Sequence, residues 1–215
     1  MGCASSSAIP VLPEIQQLAP VEANFCAPSI TTLRLRDRFW DSSNGEDFVI
    51  CDVEWGQEVF RIQGTTSALK TLRDPLRDPL VHMKRELMAP APTYNVFDAK
   101  TSAAKLFSIK ALPELHVEFQ SPASGKMCRI GLTGNWAKRQ VSFWMEQDRK
   151  GPRTAIGRVF RLADSRSSVA TTRSSSLSNN NQPDDEYILA VMAGVDMSLM
   201  VLICIALEQA HCEKW

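Results

Sequence analysis

Residues 187–207 read Tyr187-Ile188-Leu189-Ala190-Val191-Met192-Ala193-Gly194-Val195-Asp196-Met197-Ser198-Leu199-Met200-Val201-Leu202-Ile203-Cys204-Ile205-Ala206-Leu207, and the fold turns on what this run becomes. Only Asp196 and Ser198 in it are strongly polar. As one helix it would span roughly 31 Å at 1.5 Å per residue, about one bilayer core. Its ten Ile, Leu and Val residues favour insertion by roughly 3 to 6 kcal/mol, and Asp196 near the midpoint costs roughly 2.5 to 3.5 kcal/mol. The sum sits near threshold. Composition alone leaves open a membrane span or a helix buried on all sides by protein.

The sequence upstream of it bears on that choice. Short runs of alternating apolar and polar residues begin at about Ile30. They include Phe48-Val49-Ile50-Cys51-Asp52-Val53, Val59-Phe60-Arg61-Ile62, Leu80-Val81-His82-Met83-Lys84 and Tyr94-Asn95-Val96-Phe97. Lys105-Leu106-Phe107-Ser108-Ile109-Lys110, Leu115-His116-Val117-Glu118-Phe119, Met127-Cys128-Arg129-Ile130, Gln140-Val141-Ser142-Phe143-Trp144-Met145 and Ala155-Ile156-Gly157-Arg158-Val159-Phe160 follow. Turn chemistry separates them at Ser43-Asn44-Gly45, Pro122-Ala123-Ser124-Gly125 and Lys150-Gly151-Pro152. About ten strands at roughly ten-residue spacing predict an antiparallel meander, a sandwich or a barrel. Half-buried strands need a cover for one face, and one apolar helix can fill a closed barrel. That favours the buried helix.

Three segments interrupt this texture. Residues 1–29 are rich in Ala, Pro and Ser, and read as a flexible tail. Leu72-Arg73-Asp74-Pro75 repeats at once as Leu76-Arg77-Asp78-Pro79; proline cannot donate to a ladder, so this is an extended loop or an edge. Residues 164–183 are rich in Ser, Thr, Arg and Asn, which cannot build a core, and read as a disordered insertion. The expected organisation is therefore a tail over 1–29 and a barrel domain over 30–215, with the insertion at 164–183 and a central helix at 187–210.

The chain has 215 residues, with 24 basic and 24 acidic side chains. A formal charge of 0 gives no electrostatic footprint for nucleic acid, and none is expected as a partner. Cys3, Cys26, Cys51, Cys128, Cys204 and Cys212 are scattered without a C-x-x-C pair, as reduced thiols on a cytosolic face would be. His82, His116 and His211 lie far apart, so no metal site or other cofactor is expected. There is no G-x-S-x-G elbow, phosphate-binding loop, dinucleotide fingerprint or H-E-x-x-H, which argues against an enzyme.

The first residues carry a different signal. Met1-Gly2-Cys3-Ala4-Ser5-Ser6 matches M-G-x-x-x-[ST], in which Gly2 accepts myristate. One myristate holds a protein to a membrane only marginally and reversibly. No basic residue precedes Arg34, so palmitate on Cys3 is the coherent second anchor. Dual acylation would place the protein on the cytoplasmic face of a membrane, the plasma membrane in the simplest case.

The sequence resembles the LURP-one-related family, within the tubby C-terminal-like and phospholipid-scramblase-like superfamily. The residues carrying the resemblance are Phe25-Cys26-Ala27-Pro28, the run 47–53 with Gly56 and Val59-Phe60-Arg61-Ile62, the run 105–110, Gly134-Asn135-Trp136, and Val195-Asp196 entering the apolar segment. The resemblance implies a mainly β fold, a tubby C-terminal-like barrel of about twelve antiparallel strands threaded by a buried C-terminal α-helix. It also implies a non-enzymatic protein that binds phosphoinositide, another phospholipid or a protein partner. Lys84, Arg85, Lys138 and Arg139 are the candidate contacts for an anionic headgroup, beside the run Arg149, Lys150 and Arg153. A scramblase-like protein with a membrane-inserted helix is the alternative. Asp184-Asp185-Glu186 lacks the alternating oxygen ligands of a calcium loop.

Overall fold

The computed structural model describes residues 17–37, 47–66, 69–101, 104–148, 151–161 and 186–212. Twelve strands run in chain order: β1 (Thr31–Arg36), β2 (Phe48–Asp52), β3 (Glu58–Thr66), β4 (Leu69–Arg73), β5 (Pro79–Arg85), β6 (Thr93–Asp98), β7 (Lys105–Lys110), β8 (His116–Gln120), β9 (Met127–Asn135), β10 (Gln140–Gln147), β11 (Thr154–Arg161) and β12 (Glu186–Val191). Each pairs antiparallel with the next, and β12 returns to β1, closing the barrel. Closure removes the free edges that an open sheet of this size would expose.

The period-two pattern decides which face looks inward. In β1, Leu33 and Leu35 are fully buried while Arg34 and Arg36 face solvent. Leu33 lies opposite Leu189 and Leu35 opposite Tyr187, so inward residues of neighbouring strands stack at one level. In β10, Val141, Phe143 and Met145 point in, and Gln140 and Ser142 point out.

The barrel is filled by one helix, α1 (Met197–Cys212), in which every residue from 197 to 210 is buried. Its 16 residues reach about 24 Å at 1.5 Å each, short of the ~30 Å bilayer core. No helix among the described residues is long and apolar enough to cross a membrane.

The segment expected as a helix over 187–210 divides in two. Glu186–Val191 is strand β12, hydrogen-bonded between β1 and β11. Gly194 then takes φ 79, a conformation that ends either element and suits glycine. Asp196 restarts the chain as the N-cap of α1. A strand with paired neighbours on both sides can be apolar on both faces; here Tyr187, Ile188 and Leu189 are all buried. Composition alone could not separate it from a helix.

The tail expected over 1–29 also needs correction over residues 17–29. Leu18 is buried, and its N–H donates to Gly194 O at 2.9 Å while its carbonyl accepts from Asp196 N at 2.9 Å. Ala27 exchanges hydrogen bonds with Gly194 and Val195. Phe25 packs on Phe60 with ring centroids 5.1 Å apart. This segment is part of the barrel's floor. The insertion expected at 164–183 lies outside the described residues.

The duplicated Leu-Arg-Asp-Pro is a turn. Its first copy ends β4, where Leu72 is buried, and its second forms the bend, where Leu76 is 83% exposed. Asp74 closes the bend, its carboxylate accepting from Asp78 N at 2.8 Å.

Candidate functional site

An up-and-down barrel places its turns alternately at two ends, and α1 runs from one to the other. At the first end, Asp196 ties the floor to the helix. Its Oδ1 accepts from the N–H groups of Ser198 at 2.9 Å and Leu199 at 3.3 Å, and from the Ser198 hydroxyl. Its Oδ2 accepts from the N–H groups of Val21 at 3.0 Å and Glu22 at 3.2 Å. The side chain is fully buried. Burial pushes its pKa above the usual Asp value, and the hydrogen bonds from Ser198, Val21, Glu22 and Leu199 hold that rise back.

At the second end, the Gly134-Asn135-Trp136 element makes the β9–β10 turn. Gly134 has φ 108, and a Cβ there would lie 2.1 Å from Gln140 O, so only glycine fits. Asn135 Oδ1 accepts from Lys138 N, and Trp136 O accepts from Arg139 N. The turn thereby aims Arg139, at φ 56, back into the barrel mouth. Its guanidinium lies 4.8 Å from the Trp136 ring centre and 4.7 Å from that of Tyr187. Asp37 receives two of its N–H groups, and it forms an ion pair with Glu208 on α1. Burial pulls the guanidinium pKa down, but Glu208, Tyr187 and Asp37 outweigh it and keep Arg139 charged.

Beside this turn the wall is incomplete. β8 pairs with β9 only where 117–120 face 127–130. Beyond that, residues 131–135 of β9 pair with β10 alone, and the connection 111–115 passes where a strand would lie. A cavity of about 470 Å³ opens there, reaching from Arg129 and Trp144 on the wall to Leu207 on α1.

The residues expected to contact headgroups are placed differently from one another. Lys84 is exposed, with its Nζ 5.9 Å from the Phe97 ring centre. Arg85 is half-buried and follows it on β5, where successive side chains point to opposite faces. Lys138 is exposed on the β9–β10 turn. Arg139 is 6% exposed and held by Asp37 and Glu208, so it is a core residue and not a headgroup contact. Arg153 is exposed, 3.8 Å from Glu146 and stacked at 4.0 Å over Trp144. Gly2, Cys3, Arg149 and Lys150 lie outside the described residues. Among the described residues no group of three or more His, Cys, Asp or Glu is placed to hold a metal ion.

A family model described as LURP-one-related matches residues 31–208. The chain belongs to the LURP-one-related family. A crystal structure of a protein from Arabidopsis thaliana is similar to it, with 15% sequence identity and a TM-score of 0.58, covering 91% of this chain and 98% of that one. At that identity the likeness concerns the fold. A search of curated proteins finds no match. In this LURP-one-related barrel the short sequence elements acquire physical roles: Phe25-Cys26-Ala27-Pro28 seals the floor, Gly134-Asn135-Trp136 shapes the Arg139 turn, and Val195-Asp196 joins floor to helix.

Arg139, Glu208 and the wall opening had no signature in the sequence. Arg139 follows Lys138 in an apparently ordinary basic turn, and only the fold sets it above a helix that ends in Glu208. The cavity depends on β8 being shorter than β9, which alternation does not report.

Proposed function

We propose that this protein is a non-enzymatic, membrane-tethered barrel that acts at the cytoplasmic face of a membrane by binding lipid or a protein partner. The observation that carries this reading is the opening Met1-Gly2-Cys3-Ala4-Ser5-Ser6 followed by a floor segment built into the fold from Leu18 onward. Acyl chains on Gly2 and Cys3 would hold the barrel to the membrane through a tether of about fifteen residues, at most ~50 Å when extended. Two chains supply the residence that one does not. The family resemblance supports phosphoinositide or another anionic phospholipid as ligand, with Lys84, Arg85 and Lys138 as the basic candidates.

The test is expression in eukaryotic cells with alkyne-tagged myristate and palmitate. Wild-type protein should take up both labels and sediment with membranes. Gly2→Ala should lose myristate and become soluble, and Cys3→Ser should keep myristate but leave membranes faster. Absence of both labels from wild-type protein would refute the tether. Binding of the unacylated protein to anionic vesicles should weaken as salt rises; equal binding to neutral vesicles would refute headgroup recognition.

A further inference from the structure

The opening between β8 and β9 brings together an unusual set of groups. Among the described residues, three buried side-chain N–H donors have no hydrogen-bond partner: Arg129 Nε, Trp136 Nε1 and Trp144 Nε1. All three residues line this one cavity of about 470 Å³. Buried donors are paired as a rule, so three orphans around one cavity mark a place where acceptors belong. The volume falls in the range of small-molecule sites.

The chemistry of the occupant follows from the lining. The wall supplies two guanidinium groups, Arg129 and Arg153, beside the solvent-exposed Glu114; Glu146 stands 3.8 Å from Arg153, and Arg129 lies between Glu118 and Glu146 in the strand register. Arg129 Nε and Trp144 Nε1, on neighbouring strands beside the opening, call for an acceptor oxygen, and a charged oxygen makes the stronger bond. The indole faces are already taken. Trp144 lies across Gly131, where a Cβ would come within 2.3 Å of its ring, and it carries Arg153 on a ring face at 4.0 Å. Trp136 stacks with Arg139 at 4.8 Å and meets Tyr187 edge-on at 6.0 Å. The rings therefore offer their N–H edges more than stacking surface. The remaining lining is aliphatic: Leu112, Pro113, Leu115, Leu132 and Leu207.

We propose that this opening binds a small aliphatic oxyanion, its oxygens accepting from Arg129 and Trp144 and its hydrocarbon lying on Leu132 and Leu207 toward α1. A carboxylate and a phosphate monoester share this chemistry. The site does not depend on the acyl tether, so it can be tested on unacylated full-length protein.

The experiment titrates bacterially expressed full-length protein with octanoate, octyl phosphate and octan-1-ol, read by tryptophan fluorescence and calorimetry. At least one of the two anions should bind saturably at one per chain, and which of them binds tighter assigns the headgroup. Trp144→Phe keeps an aromatic ring but removes the N–H donor together with the pyrrole half of the indole; it should weaken the anion at least about tenfold, and an unchanged octan-1-ol affinity separates loss of the donor from loss of ring volume. Arg129→Gln should act in the same direction, and neither should change the affinity for octan-1-ol. If Arg129→Gln fails to fold, Trp144→Phe carries the test. The site is overturned if neither anion binds saturably, if the folded variants bind the anion as wild type does, or if octan-1-ol binds as tightly as the anions.

Discussion

The carboxylate of Asp196 accepts the main-chain N–H of Val21 at 3.0 Å, across 175 residues of sequence. Its other oxygen caps α1 through Ser198 and Leu199. One buried side chain thus fixes where the central helix begins and where the floor segment ends its path across the barrel. The backbone ladder around it, with Leu18 on Gly194 and Ala27 on Val195, needs both to stay in register.

Asp196→Ala should therefore cost about 2–4 kcal/mol, combining a lost N-cap with buried N–H groups left unpaired. Asp196→Asn should recover only part of this, because its amide nitrogen cannot accept from whichever pair of donors it faces. Chemical denaturation of the three proteins gives the order. Equal stability of wild type and Asp196→Ala would contradict the double role.

The same carboxylate gives a pH signature. Burial raises its folded-state pKa above the unfolded one, so between the two values the folded chain binds more protons than the unfolded chain. Stability contributed by this group is then present below the ordinary Asp range near pH 4 and is lost as pH rises through the raised value. Groups such as Asp98, whose pKa is lowered chiefly by the Lys100 N–H, have the opposite sign. The readout is therefore the difference between wild type and Asp196→Asn, which should narrow as pH rises. A constant difference across that window would argue against a raised pKa.

Arg139 offers a test of the second end. Arg139→Met leaves Glu208, 3% exposed, without its ion-pair partner and should cost about 3–5 kcal/mol. Arg139→Met with Glu208→Leu removes both charges and should cost clearly less than the two single changes added together. Additivity in the double-mutant cycle would mean that the pair is not coupled.

Most of the barrel could be read from alternation. Nine of the twelve strands coincide with apolar–polar runs such as 105–110 and 140–145. Two of the three exceptions, β12 and β4, have physical reasons. β12 is apolar on both faces and merges by composition with α1; the punctuation at Gly194 and Asp196 was the signal that separates them. β4 runs into the Leu-Arg-Asp-Pro repeat, so its last residues looked like loop. The candidate site was far less legible. Arg139 looks like any surface cation until the φ 56 turn and Asp37, 102 residues away, draw it inward.

At Gly157 the wall has little room between α1 and the β11–β12 ladder. A Cβ there would stand 2.7 Å from Met200 Cε and 3.0 Å from Ala190 O. The methionine end can move, but the carbonyl belongs to the β11–β12 ladder. Gly157→Val should destabilise by roughly 1–3 kcal/mol through overpacking, measured by thermal melting with unchanged far-ultraviolet circular dichroism.

Whether α1 is the core of the barrel can be tested by removing it. Leu33, Phe60, Val96, Ile109 and Phe143 are fully buried side chains on strands from around the barrel, gathered with α1 in one apolar cluster. A protein ending at residue 185 loses α1 and also β12, the strand that closes the sheet onto β1. It should aggregate or stay unfolded. A point substitution separates loss of closure from loss of core: Leu202→Ala, at a site 1% exposed, leaves β12 intact and should cost about 2–5 kcal/mol, depending on how far the cavity collapses. If α1 were instead accessory to the barrel, Leu202→Ala would melt with wild type and the fragment would unfold cooperatively in solution. Either result would remove the helix from the core, and with it the reason that a 16-residue apolar helix lies inside protein.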